Sequence, residues 1–135
     1  MDKPKVNSLG SGQNNGALIY LVDDEPMLLE LASVILAPLG YRIETFRAPE
    51  EALWAFKAAE APPALIITDY EMDAMTGLDL MDACRQIQPW QKFLLVSGTV
   101  GPDIFSARPV RPVRFLAKPY QSKQLIDLVE AVLAD

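Results

Sequence analysis

The chain contains no histidine and a single cysteine, Cys84, among its 135 residues. Without an imidazole it cannot donate from a phosphohistidine or use the usual side-chain base near neutral pH, so any phosphoryl group it handles arrives from elsewhere. One cysteine cannot build an internal disulfide. Cys84 falls in an apolar helical pattern, which marks it as a reduced core residue and points to a reducing cytosol. Positive charge is also scarce: 12 Lys and Arg stand against 18 Asp and Glu, giving a net charge of −6. Such a chain lacks the basic face that direct nucleic-acid binding needs. No apolar run approaches the ~20 residues that span a bilayer, and the first residues lack the apolar segment of a signal peptide. The expectation is a soluble, cytoplasmic protein with no membrane insertion.

What is present is an alternation of short apolar runs with amphipathic stretches, at a length that suits one domain with a sizeable core. Residues 1–16 are rich in Asn, Gly, Ser and Gln and carry too little apolar surface to offset the entropy of ordering, so they read as a flexible tail before a domain at 17–135. Apolar runs at 17–22, 64–68, 92–96 and 113–117, with an alternating segment at 41–46, predict five strands. Pro26 opens a helix to about Ala37 with Leu28, Leu31, Ile35 and Leu39 near helical spacing and Gly40 as its stop. Pro49 opens a second helix, Leu78 to Gln88 a third with Leu80, Cys84 and Ile87 on one face, and Gln121 or Ser122 the last. Strands alternating with crossover helices imply a doubly wound parallel sheet of the α/β class.

In that arrangement the strand ends carry the chemistry. The first run ends on Asp23 and Asp24, the third on Asp69, the fourth on Ser97 and the fifth on Lys118. Parallel strands place their carboxyl ends side by side, where α/β proteins build their sites. Acids crowded there either raise one another's pKa or hold a hard divalent cation, and Mg²⁺ suits an all-oxygen set.

With Met72 three residues and Gly77 eight residues after Asp69, Phe115 in the last strand, and Pro119 after Lys118, the ordered set resembles the receiver domain of two-component response regulators. The resemblance covers about residues 17–135. It implies a flavodoxin-like receiver fold with strand order 2-1-3-4-5 and helices on both faces. It implies Asp69 as phosphoacceptor, with Lys118 and Ser97 assisting the transfer, Asp24 ligating Mg²⁺ directly, Asp23 chiefly through water, and the backbone carbonyl of Glu71 as a further contact to the ion that Asp69 shares. Ser97 and Phe115 would form the conformational switch. Glu71 and Thr99, each two residues beyond a site residue, would line the approach to the phosphoryl group and tune its hydrolysis. The implied partners are a histidine kinase or histidine phosphotransfer protein, and a downstream protein docking on the face made by the fourth helix, fifth strand and fifth helix. The protein would be a monomer or a phosphorylation-dependent dimer, not an enzyme acting on other substrates.

This chain departs from the family at two places. Asp73 stands where proline is usual, four residues after Asp69, and reads as a solvated loop acid. Between residues 100 and 112 the duplicated Arg-Pro-Val disrupts the expected fourth helix, leaving it short or irregular at about 102–107. Polyproline geometry would put Arg108, Arg111 and Arg114 on one edge.

A stand-alone receiver is the leading reading; a receiver segment of a hybrid kinase or larger regulator has the same chemistry. A Mg²⁺-dependent aspartyl phosphatase is the enzyme-class alternative, with Glu71 two residues after the nucleophile as its acid. A flavodoxin-like cofactor binder is disfavoured, because acids and not a glycine- or hydroxyl-rich phosphate cradle follow the first strand.

Overall fold

The computed structural model describes residues 16–72, 74–99 and 113–135. The tail at 1–15, Asp73, and the expected fourth helix with Arg108 and Arg111 lie outside the described residues. Five strands, β1 (Leu18–Val22), β2 (Arg42–Phe46), β3 (Leu65–Asp69), β4 (Phe93–Ser97) and β5 (Arg114–Ala117), form one sheet in the order β2-β1-β3-β4-β5. All four pairings are parallel. The helices described are α1 (Pro26–Leu36), extended by a 3-10 turn to Leu39, then α2 (Pro49–Ala58), α3 (Gly77–Ile87) and the C-terminal α4 (Ser122–Ala134). This is the expected receiver fold. Arg114 opens β5 in register with Leu94, so it belongs to the sheet and not to a proline-rich edge.

The sheet divides the core by strand alternation. Ile19, Leu21, Leu65, Ile67, Leu94 and Val96 face α1 and α4, packing on Leu29, Leu36, Leu125 and Val129. The intervening Tyr20, Val22, Ile66, Phe93 and Leu95 face α2 and α3, packing on Phe56, Leu78, Met81 and Cys84. Central strands buried on both faces therefore read as continuous apolar runs, and the edge strands β2 and β5 do not. Cys84 is fully buried and its thiol is pushed up to about 12 by that burial, which suits a core role and disfavours reactivity.

Local signals set the helix ends. Proline occupies the first turn of α1 and of α2, where no intrahelical N–H is lost. Gly40 stops the 3-10 turn at φ 102°, a left-handed conformation that disfavours a side chain. In α3 the Thr76 hydroxyl accepts from Asp79 N–H while the Asp79 carboxylate accepts from Thr76 N–H, both at 3.1 Å.

Two predicted inward faces need correction. In α1 the buried positions are Leu29, Ala32 and Leu36; Ile35 and Leu39 pack partly, Leu28 is half-buried, and Leu31 is 48% exposed. That helix is apolar on nearly every face, so spacing alone admits more than one register. In α3, Met81 joins Leu80 and Cys84 inside, whereas Ile87 is exposed. At about 3.6 residues per turn Ile87 falls at the edge of the arc that Leu80, Cys84 and Met81 span, in the last turn of the helix.

Candidate functional site

Each strand end delivers its side chain through the ladder. Asp23 N–H donates to the Phe46 carbonyl (3.1 Å), Tyr70 N–H to Val96 (2.8 Å) and Lys118 N–H to Ser97 (2.9 Å), so the ends of the five strands are held in register. Asp23, Asp24 and Asp69 converge: each offers a carboxylate oxygen, and the three lie within 4.8 Å of one another. Asp23 and Asp69 are buried and Asp24 is exposed. The Lys118 ammonium bridges the buried pair, 3.3 Å from Asp23 Oδ2 and 3.2 Å from Asp69 Oδ1.

The two contacts differ. Lys118 donates an aligned hydrogen bond to Asp23. Asp69 Oδ1 is fully buried without an aligned hydrogen bond among the described residues, so its contact with Lys118 is an ion pair at close range. Burial, opposed by Lys118 and reinforced by the charges of Asp23 and Glu71, raises Asp69 from 3.8 to about 6. Apolar neighbours accompany that burial: Leu21, Val22, Ile67 and Val96 line a cavity of ≈ 20 Å³ together with Asp23 and Asp69. Lys118 is itself held above its ordinary pKa, because Asp23 and Asp69 outweigh the burial that lowers it.

The acids fit a hard divalent cation. The donors are all carboxylate oxygens, the set a hard cation such as Mg²⁺ prefers, and the buried Asp69 Oδ1 has no aligned hydrogen bond to hold it. Asp23 Oδ1 already accepts from Glu25 N–H at 2.9 Å and Oδ2 from Lys118. The exposed Asp24, and Asp69 Oδ1 with its ion pair to Lys118 but no aligned hydrogen bond, are therefore better placed to approach an ion.

Ser97 is buried at the end of β4, and its hydroxyl donates to the Glu71 carboxylate (Oε1 3.0 Å, Oε2 2.8 Å) while accepting from Thr99 N–H at 3.1 Å. The Thr99 hydroxyl also donates to Glu71 Oε2. The sequence places Glu71 and Thr99 near the site, but spacing does not reveal that the Glu71 side chain gathers both hydroxyls. Tyr120 was not visible as a site residue at all: it lines the cavity with Asp23, Asp69 and Lys118, and burial raises its phenol. Its only sequence signal is its place two residues after Lys118. Phe115 is half-buried against the core on the α2/α3 face.

Gly77 shows how tightly the β3 end is held. A Cβ there would lie 2.6 Å from the Asp69 carbonyl oxygen and 3.1 Å from Tyr70 Cα, both backbone atoms that cannot rotate away. Gly77→Ala is expected to destabilise the protein by about 1–3 kcal/mol, the usual range for overpacking. Chemical denaturation checks this; an unchanged midpoint would mean that the β3–α3 loop yields freely.

A doubly wound parallel sheet whose strand ends gather three acids, a lysine and a hydroxyl defines a receiver-type α/β domain. The response regulator receiver domain model matches residues 19–130, and the chain belongs to that family. It is similar to the transcriptional regulatory protein GlrR of Escherichia coli, 29% identical over 119 residues covering 87% of this chain and 26% of that protein. It is also similar to the transcriptional regulatory protein KdpE of Mycobacterium tuberculosis, at 27% identity over 86% of this chain and 50% of that protein. The chain thus spans half or less of both relatives. Among solved structures, the chemotaxis protein CheY4 of Vibrio cholerae superposes with a TM-score of 0.78 at 26% identity, over 86% of this chain and 98% of that one. A response regulator receiver protein from Sinorhizobium medicae gives a TM-score of 0.79 at 25% identity, over 88% and 95% of the two chains. Among the described residues no helix is long and apolar enough to cross a membrane.

Proposed function

We propose that this receiver takes a phosphoryl group onto Asp69 from a histidine kinase or histidine phosphotransfer protein, with Mg²⁺ as the required ion, and signals by docking on a partner protein. The observation that carries the reading is the convergence of Asp23, Asp24 and Asp69 around the Lys118 ammonium. An Asp69 carboxylate oxygen attacks phosphorus, the P–N bond breaks, and the departing imidazole nitrogen keeps the electron pair and takes a proton from solvent. Phosphoryl transfer is largely positioning and charge neutralisation. Lys118, 3.2 Å from Asp69 Oδ1, stands where it offsets charge on the phosphoryl oxygens. A divalent ion held by Asp24 and Asp69, with Asp23 behind them and the Glu71 backbone carbonyl as a further contact, would supply the remaining neutralisation. Ser97 then turns its hydroxyl to a phosphoryl oxygen, the loop after it follows, and Phe115 moves inward as the switch.

The docking face is taken to include β5 and α4. The phosphoacceptor chemistry is the same whether the output lies in a separate partner or in further residues of a longer chain. The phosphatase alternative needs Glu71 to present a proton to a leaving group; both its oxygens accept hydroxyl hydrogen bonds, which favours the receiver reading.

The test is incubation of the full chain with acetyl phosphate and Mg²⁺, followed by intact-mass measurement. A gain of one phosphoryl group is expected in the wild type. None is expected in excess chelator or in Asp69→Ala. A gain that persists in Asp69→Ala removes Asp69 as the acceptor, and one that persists in chelator removes the ion from the reaction.

A further inference from the structure

The Ser97 hydroxyl carries one proton, and that proton is already committed to Glu71. We propose that the Glu71 carboxylate is an internal anion that holds the Ser97 and Thr99 hydroxyls while Asp69 is unmodified and must surrender Ser97 when a phosphoryl group arrives. The inference rests on the phosphoacceptor reading above and adds a brake to that site.

The geometry gives the latch its direction. Thr99 N–H donates to Ser97 Oγ at 3.1 Å, which fixes the orientation in which Ser97 donates onward to Glu71. The Thr99 hydroxyl donates to the same carboxylate, so donors from the β4 end and its loop converge on one acceptor from the β3 end. A phosphorylated Asp69 would carry more negative charge than the carboxylate it replaces, together with fresh acceptor oxygens. Repulsion on Glu71 therefore rises at the moment a rival acceptor for Ser97 appears. Glu71 has a flexible side chain to swing away on; Ser97, at the end of a buried strand, does not leave. Glu71 is thus a positioning residue that opposes phosphorylation and whose release accompanies it.

The experiment measures the rate of mass gain of the full chain over a series of acetyl phosphate concentrations with Mg²⁺. Glu71→Ala is expected to gain mass about tenfold faster than wild type, the low end for losing a charge-assisted hydrogen bond. Glu71→Gln, which keeps an acceptor oxygen without the charge, is expected between the two. In a Ser97→Ala/Thr99→Val background the Glu71→Ala acceleration should disappear. No acceleration, or one that survives undiminished in that background, overturns the latch and leaves at most a charge effect on Asp69. A wild type that gains no mass at Asp69 overturns the phosphoacceptor reading, a result distinct from either. Independently, thermal melting of Mg²⁺-free, unphosphorylated protein gives a double-mutant cycle between Glu71→Ala and Ser97→Ala. Coupled losses support the contact; strictly additive ones overturn it.

Discussion

Asp69→Asn is expected to make the metal-free protein more stable at neutral pH, although it removes the central residue of the site. The Asp69 carboxyl has a pKa of about 6 in the folded protein against 3.8 when exposed, because burial opposes ionisation more strongly than Lys118 favours it. A raised acid contributes stability only while it is protonated. Well below pH 3.8 it is neutral in both states and the substitution changes little. As pH rises from 4 to 6 the unfolded chain releases its proton first, and the folded wild type loses ground. Above about pH 7 the full difference is in force, about 3 kcal/mol at 1.4 kcal/mol per pH unit. Asparagine keeps the shape without the charge. In chelator the variant should melt on the order of 10 °C above wild type at pH 8, with the gap closing towards pH 4. A gap of the same size at pH 4 and pH 8, or none at either, would mean that buried charge is not what strains this pocket. The pocket is built against its own stability, which suits the cation and phosphoryl group proposed for it.

Much of this was legible in the sequence because a parallel sheet converts linear order into spatial order. An apolar run buried on both faces has few alternatives to a central strand, and its last residue then lies at the sheet edge where Asp23, Asp69, Ser97 and Lys118 meet. The strand order itself came from the family resemblance; periodicity could not choose it. The inward faces of α1 and α3 were less legible, since Leu31 and Ile87 are as apolar as the residues that bury and only packing separates them. Side-chain partners were not legible at all. That Glu71 would gather the hydroxyls of Ser97 and Thr99 depends on how two loops approach each other. That Tyr120 would wall the acid cavity depends on where the chain turns after Lys118. Residue type and spacing reach as far as the ends of the elements, and the loops beyond them carry the features particular to this chain.

Mg²⁺ should reverse the strain at Asp69, and Asp24 should decide how well it does so. An ion that binds the folded chain and not the unfolded one adds about 2.7 kcal/mol of stability at 100 times its dissociation constant. Asp23 has one oxygen on Glu25 N–H and the other on Lys118, so it is poorly placed to move towards an ion. Asp24 is exposed, and one of its oxygens lies within 4.8 Å of those of Asp23 and Asp69. The wild-type melting temperature at pH 8 should therefore climb with Mg²⁺, while Asp24→Asn should lose most of that climb with little change in chelator. Asp69→Asn should lose much of it too, from a higher starting point, because the repulsion the ion relieves is already gone. The two variants thus separate ligand from strain: one begins near wild type and fails to rise, the other begins high. An undiminished Mg²⁺ response in Asp24→Asn would place the ion on Asp23 and Asp69 alone, against the hydrogen bonds that already occupy Asp23.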